Sequence, residues 1–250
     1  MDIINRKVVP VPESFFCDGP YDLITTTSLG GSDLNPAQLV NCLQSDDPAQ
    51  IRELLGRGIA LPLFFPGDCA LDRAMFVVGE LTEQESTEWI GRISARLEVP
   101  YGKVVLIAGG GDLAGVTAAL SEQEPGGSGE LCFQLEVPPG SYVIEILAYI
   151  GSMNVDFYFE DHPLPQNWFE LSGDERPFWI EHFQHKGMLG DLDGTELVGY
   201  LIHLDPLVEA PPLPALVPEI GWCGEFEFRE PKKCPHGLMR AMLLAEADAP

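Results

Sequence analysis

Apolar residues fall in short periodic runs separated by turn residues. Residues 1–31 read as extended or loop chain, closing on the polar stretch 25–31. Asn35 before Pro36 predicts a capped helix, because Asn accepts the first free amides and Pro at the first helical position has none to waste. Leu39, Val40 and Leu43 give that helix its apolar face. Asp47-Pro48 repeats the device, with Ile51, Leu54 and Leu55 inside and Gly56 and Gly58 as the stop. The runs 60–65 and 74–81, joined through Pro66-Gly67, predict a strand pair. Thr82 and Glu85 form a Thr-x-x-Glu capping box. Trp89, Ile90, Ile93 and Leu97 at helical spacing then predict a helix running to Pro100. A buried strand over 103–108 ends at Gly109-Gly110-Gly111.

Residues 121–130 read as a linker. Beyond it the pattern partly recurs. Residues 131–137 alternate as a half-buried strand, Pro139-Gly140 turns the chain, and 142–150 returns as a strand. Residues 176–186 read as a helix holding Trp179-Ile180, and 197–204 as a further strand. A Pro-rich connector spans 205–218, an edge strand covers 225–228, and a short amphipathic helix with Leu238, Met242 and Leu243 follows Gly237. The expected fold is α+β, with two β-rich lobes of mainly antiparallel strands, each packed by a helix. The lobes are expected over 1–121 and 130–250. The shared order of strand, Pro-Gly turn, strand, Trp-Ile helix and strand raises an internal duplication as an expectation. The turn-to-Trp spacing is 23 residues in one half and 40 in the other.

Charge changes the picture more than composition does. The 250 residues hold 14 Lys and Arg against 39 Asp and Glu, a formal net charge of −25. That balance argues against nucleic acid or an anionic membrane as direct partner, since both demand a basic face. No apolar run reaches membrane-spanning length, and the first sixteen residues lack a signal peptide's apolar core. The six scattered cysteines read as free, buried thiols, so a cytoplasmic protein is expected.

The acidity is uneven. Residues 104–175 contain twelve Asp or Glu and no Lys or Arg, and eight of the 23 aromatics fall between 157 and 183. Such a surface suits a basic protein partner, with aromatics as anchors and the field raising the association rate. The candidate binding residues are Asp156, Glu160, Asp161, Trp168, Asp174 and Glu175. The concrete form of this reading is an inhibitor or immunity-type protein whose carboxylates stand in for the phosphates of a cationic enzyme's substrate. It requires no catalytic residue and no cofactor.

Two other readings compete. His182 and His185 lie three apart on a predicted helix, beside Glu181 and downstream of His162. Together His162, His182 and His185 could hold a metal in a metal-dependent hydrolase. An oligomeric structural component, with apolar surface buried between subunits, is the third. Asp191-Leu192-Asp193-Gly194-Thr195 resembles the first motif of haloacid-dehalogenase-type phosphatases, where the first Asp is nucleophile and the second acid/base beside Mg²⁺. No apolar strand precedes it here, and a turn accounts for it. His203, out of phase with Tyr200, Ile202 and Leu204, reads as a structural strand histidine.

Overall fold

The computed structural model describes residues 5–45, 47–109, 113–121, 131–186 and 197–248. Gly110 and Gly111, residues 122–130 of the expected linker, and the Asp191 to Thr195 motif lie outside the described residues.

The order is β1 (Lys7–Pro10), β2 (Tyr21–Thr26), α1 (Pro36–Leu43), α2 (Pro48–Gly56), β3 (Ala60–Phe64), β4 (Met75–Val78) and α3 (Glu83–Glu88). Then come β5 (Gly91–Val99), β6 (Lys103–Ala108), α4 (Leu113–Leu120), β7 (Cys132–Glu136), β8 (Gly140–Ala148) and α5 (Met153–Asp161). The described chain closes with α6 (Phe178–Lys186), β9 (Tyr200–Pro206), β10 (Glu227–Phe228) and α7 (Arg240–Ala247). The fold is α+β, as expected. One sheet has the order β1-β4-β9-β8-β5-β10 and the other β3-β2-β6-β7. Among the described strands every ladder is antiparallel except β4 with β9.

The two sheets bury one shared core. Phe65 meets Tyr200 edge-on at 5.4 Å between ring centroids, and Phe76 of β4 meets Phe133 of β7 at 5.6 Å. A smaller cluster, including Met75, Val77, Leu147, Leu201 and Leu243, brings the other face of the six-stranded sheet against α7. The capped starts behave as the sequence predicts: Asn35 and Gln38 form a reciprocal capping box on α1, and the Asp47 side chain accepts from Ala49 N on α2. At the end of α2, Ile59 N reaches Leu54 O and Gly58 N reaches Leu55 O, a Schellman closure that places Gly58 at φ +65°.

Two expectations are corrected and a third is sharpened. The runs 60–65 and 74–81 form strands, but β3 and β4 belong to different sheets, because Pro66-Gly67 carries the chain across the sandwich. The helix at Thr82 ends at Glu88, and Gly91 to Val99 is a strand. Ile93 and Leu97 fit a period of four and a period of two equally. Arg92, Ser94, Arg96 and Glu98 alternate with buried Gly91, Ile93, Ala95, Leu97 and Val99, and that period decides it. Residues 21–26 are a strand with both faces covered, so their threonines point into protein rather than solvent. Thr25 Oγ1, for example, donates to Ile59 O at 2.7 Å.

The two halves are interleaved. β8 and β9 join the six-stranded sheet with β4 and β5, and β7 completes the other sheet beside β6. Each sheet therefore takes strands from both sides of residues 121–130. The Pro139-Gly140 pair likewise joins strands of different sheets. The two Trp-Ile pairs have different settings: Trp179-Ile180 lies within α6, whereas Trp89-Ile90 follows the end of α3 and leads into β5.

Candidate functional site

α3, α7, the 3-10 turn Gln166–Trp168 and the segment 229–239 line a groove of about 1300 Å³. Its walls are fixed by polar contacts that the sequence encodes locally. Thr82 and Glu85 cap α3 reciprocally: Glu85 N donates to Thr82 Oγ1 at 3.2 Å and Thr82 N to Glu85 Oε2 at 2.8 Å. This leaves Glu83 exposed on the helix. Glu88 Oε2 accepts from Gly237 N at 2.9 Å, tying α3 to the segment before α7.

Arg229 closes the other end of α3. Its guanidinium lies 3.4 Å over the Trp89 ring and donates to the carbonyls of Ser86, Thr87 and Trp89 at 3.0, 3.0 and 2.9 Å. Those are carbonyls that a helix terminus leaves without intrahelical partners. Arg6 joins α3 to α7, donating to both oxygens of Glu85 at 2.9 and 2.8 Å and through Nε to Glu246 at 2.6 Å. Burial works against the Arg6 charge, but the hydrogen bonds to Glu246 and Glu85 outweigh it and hold the guanidinium firmly protonated.

The lining has two chemistries. Carboxylates come from α3, α7, Glu175 and Glu230, six in all with Glu85, against the three cations Arg229, Lys232 and Lys233. Leu171, Leu238, Met239 and Met242 supply apolar surface, and Met242 is 69% exposed. Unbranched methionine side chains fit irregular partners. The Cys234 thiol also lines the groove. Burial, with the Glu88 charge added, pushes it up to about 12, so it is no nucleophile at neutral pH.

The expected binding residues divide. Trp168 and Glu175 line this groove. Trp168 is nevertheless a core residue, 2% exposed, and packs edge-on against Phe159 and Trp179 at about 6 Å. The expected free aromatic anchor is corrected on that point. Most of the aromatics between 157 and 183 are buried or half-buried, with Phe157 and Phe178 exposed. Glu160 and Asp161 stand exposed on α5, Asp156 is half-buried there, and Asp174 is exposed in the 3-10 turn Gly173–Glu175. None of these four lines the groove.

The histidines sit as follows. His162 is exposed at the end of α5, stacked on Tyr158 at 4.3 Å. His185 is exposed on α6, and His182 is half-buried there with Nε2 enclosed and without a hydrogen-bond partner. Among the described residues, no group of three or more His, Cys, Asp or Glu is placed to hold a metal ion. His203 lies in a polar row on the six-stranded sheet, its Nδ1 3.0 Å from Glu145 Oε2 and its Nε2 2.8 Å from Gly79 O. Both ring nitrogens are thereby engaged. Burial raises the Glu145 carboxyl, but His203 and Arg92 more than reverse this and hold it below the usual range.

Sequence reasoning missed the α3 and α7 walls of the groove. Glu83 and Glu88 lie some 85 residues before Trp168, and Met242 more than 70 after it. The available signals were a short acidic helix with a capping box and the methionines Met239 and Met242 at the start of the C-terminal helix.

No helix among the described residues is long and apolar enough to cross a membrane. No family model matches the chain, and the comparison with curated proteins gives no match. Among solved structures, the chain is similar to one described as crocagin biosynthetic gene J, at 12% identity and a TM-score of 0.39, over 81% of this chain and 96% of that one.

Proposed function

We propose that this protein is a binding module for a basic segment of a partner protein, held in the groove between α3 and α7. The observation that carries the reading is the pairing of a carboxylate-rich rim with an apolar, methionine-bearing surface in one groove. Carboxylates at the rim steer a cationic chain in, and burial of its apolar side chains supplies the affinity. Lys232 and Lys233 add a positive corner, which favours a basic segment carrying at least one acidic residue over an unbroken polycation. The acids of α5 lie outside the groove and serve only the long-range field.

The test uses fluorescent amphipathic peptides of equal hydrophobicity, one series bearing Lys and Arg and one bearing Glu, titrated with the full chain by anisotropy. Basic peptides are expected to bind, and to weaken as salt screens the rim. Reversal of Glu83 and Glu175 together to Lys should weaken binding about tenfold or more, since each rim pair is worth up to about 1 kcal/mol and the reversal adds repulsion. Reversal of Glu160 and Asp161 should change it far less. Equal binding of both peptide series, or equal effects of the two reversals, would defeat the proposal.

A further inference from the structure

A second feature lies away from the groove and is independent of it. Asp22, on β2, is fully buried, and neither carboxyl oxygen has a hydrogen-bond partner. Its register neighbours, Leu63 on β3 and Ala108 on β6, are buried and apolar. Alternation along β2 turns Asp22 towards the six-stranded sheet, where the Tyr200 hydroxyl of β9 feels its charge.

The Cys17 thiol favours the charged carboxyl a little, but burial and the Asp72 charge outweigh it. The Asp72 carboxylate faces it from the loop before β4 with the same sign, and Arg73 favours the Asp72 charge. The Cys17 thiol adjoins it, but that sulfur lies 3.2 Å from the carbonyls of both Gly19 and Tyr21 and accepts from Gly109 N. Cys17 N donates to Asp72 Oδ1 at 2.9 Å, and Cys69 N and Sγ both donate to Cys17 O. The two loops are thus laced together beside the buried carboxyl. An ionised carboxylate in such a place is costly, whereas a protonated one is tolerated.

We propose that Asp22 is a proton-operated latch between the two sheets: the fold closes on the neutral carboxyl, and ionisation loosens β2 against the loop carrying Cys69 and Asp72. Burial, reinforced by the Asp72 charge, pushes the Asp22 carboxyl up to about 8. The sign follows. The folded chain holds this proton more tightly than the unfolded chain, whose aspartates titrate near about 4. The stability that Asp22 contributes is therefore present at acid pH, lost progressively as pH rises between the two values, and constant above the upper one.

Thermal unfolding of the full chain and of Asp22→Asn, from about pH 5 to about pH 9, tests this. Asn copies the neutral acid. The variant's melting temperature should exceed that of the wild type by a margin that widens with pH up to about 8 and then levels. Parallel profiles would overturn the latch. Should Asp22→Asn fail to fold, the infrared spectrum of the native wild type decides. A protonated-carboxyl band near neutral pH, lost on alkaline titration and on unfolding, is expected, and a native protein lacking it refutes the proposal.

Discussion

Arg6 is where the groove wall can be broken with one substitution. Its guanidinium spans both oxygens of Glu85, and the Glu85 side chain is 2% exposed against 20% for Arg6 and 40% for Glu246. Without Arg6, Glu85 keeps a buried charge and one charge-assisted bond from Thr82 N. Breaking a buried ion pair from one side costs about 3–5 kcal/mol. Solvent around Arg6 relieves part of that, so Arg6→Met, which keeps the aliphatic stem, should cost about 2–3 kcal/mol. In a chain of this size the melting temperature should fall by roughly 4–12 °C.

Three further variants, Glu246→Gln, Glu85→Gln and the double Arg6→Met/Glu85→Gln, separate the causes. Glu246→Gln, at the solvent end, should cost less than about 1 kcal/mol. Adding Glu85→Gln to Arg6→Met should cost much less than the sum of the single changes, with a coupling of about 1–3 kcal/mol. Urea unfolding followed by tryptophan fluorescence and circular dichroism reads all four. An Arg6→Met chain as stable as the wild type, or a Glu246→Gln chain as damaged as Glu85→Gln, would show that the wall is held by something else.

Other expectations are simpler. Trp168→Ala should destabilise by about 3–5 kcal/mol in the same unfolding assay, because the ring is core; a cost under about 1 kcal/mol would contradict its burial. Glu145 is held below its ordinary range in the folded chain, so it contributes stability at neutral pH that is lost as pH falls through its folded value. Glu145→Gln should therefore cost stability near pH 7 and little near about pH 3, and an equal cost at both would refute the pairing with His203 and Arg92. Cys234 should alkylate with iodoacetamide at about pH 8 far more slowly than free cysteine, as followed by mass spectrometry. Rapid labelling would refute its burial beside Glu88.

Local signals in the sequence were reliable where a few residues settle the matter. The Asn35-Pro36, Asp47-Pro48 and Thr82/Glu85 starts all appear as read, since capping depends on groups two or three residues apart. Strand partners were not legible. Nothing in 60–64 or 75–78 says that one pairs β2 and the other β9, because pairing depends on segments that lie far apart in sequence. β2 was hidden by Asp22, which breaks an otherwise apolar and β-branched run. The candidate site was legible in sign but not in place. Glu175 and the buried Trp168 border the groove, while the acids on α5 are close in sequence and outside it. Charge density along a chain does not determine which helix faces which.

Interleaving the halves has a consequence for how the chain reaches its fold. When the first 121 residues have left the ribosome, β5 lacks β8, β4 lacks β9 and β6 lacks β7. The alternating strand Gly91 to Val99 must wait with its apolar edge row uncovered until residues 140–148 arrive. Long-range pairing of this kind folds slowly and exposes unpaired edges meanwhile. Two fragments cut near residue 125 should each collapse poorly alone and assemble into the fold only when mixed.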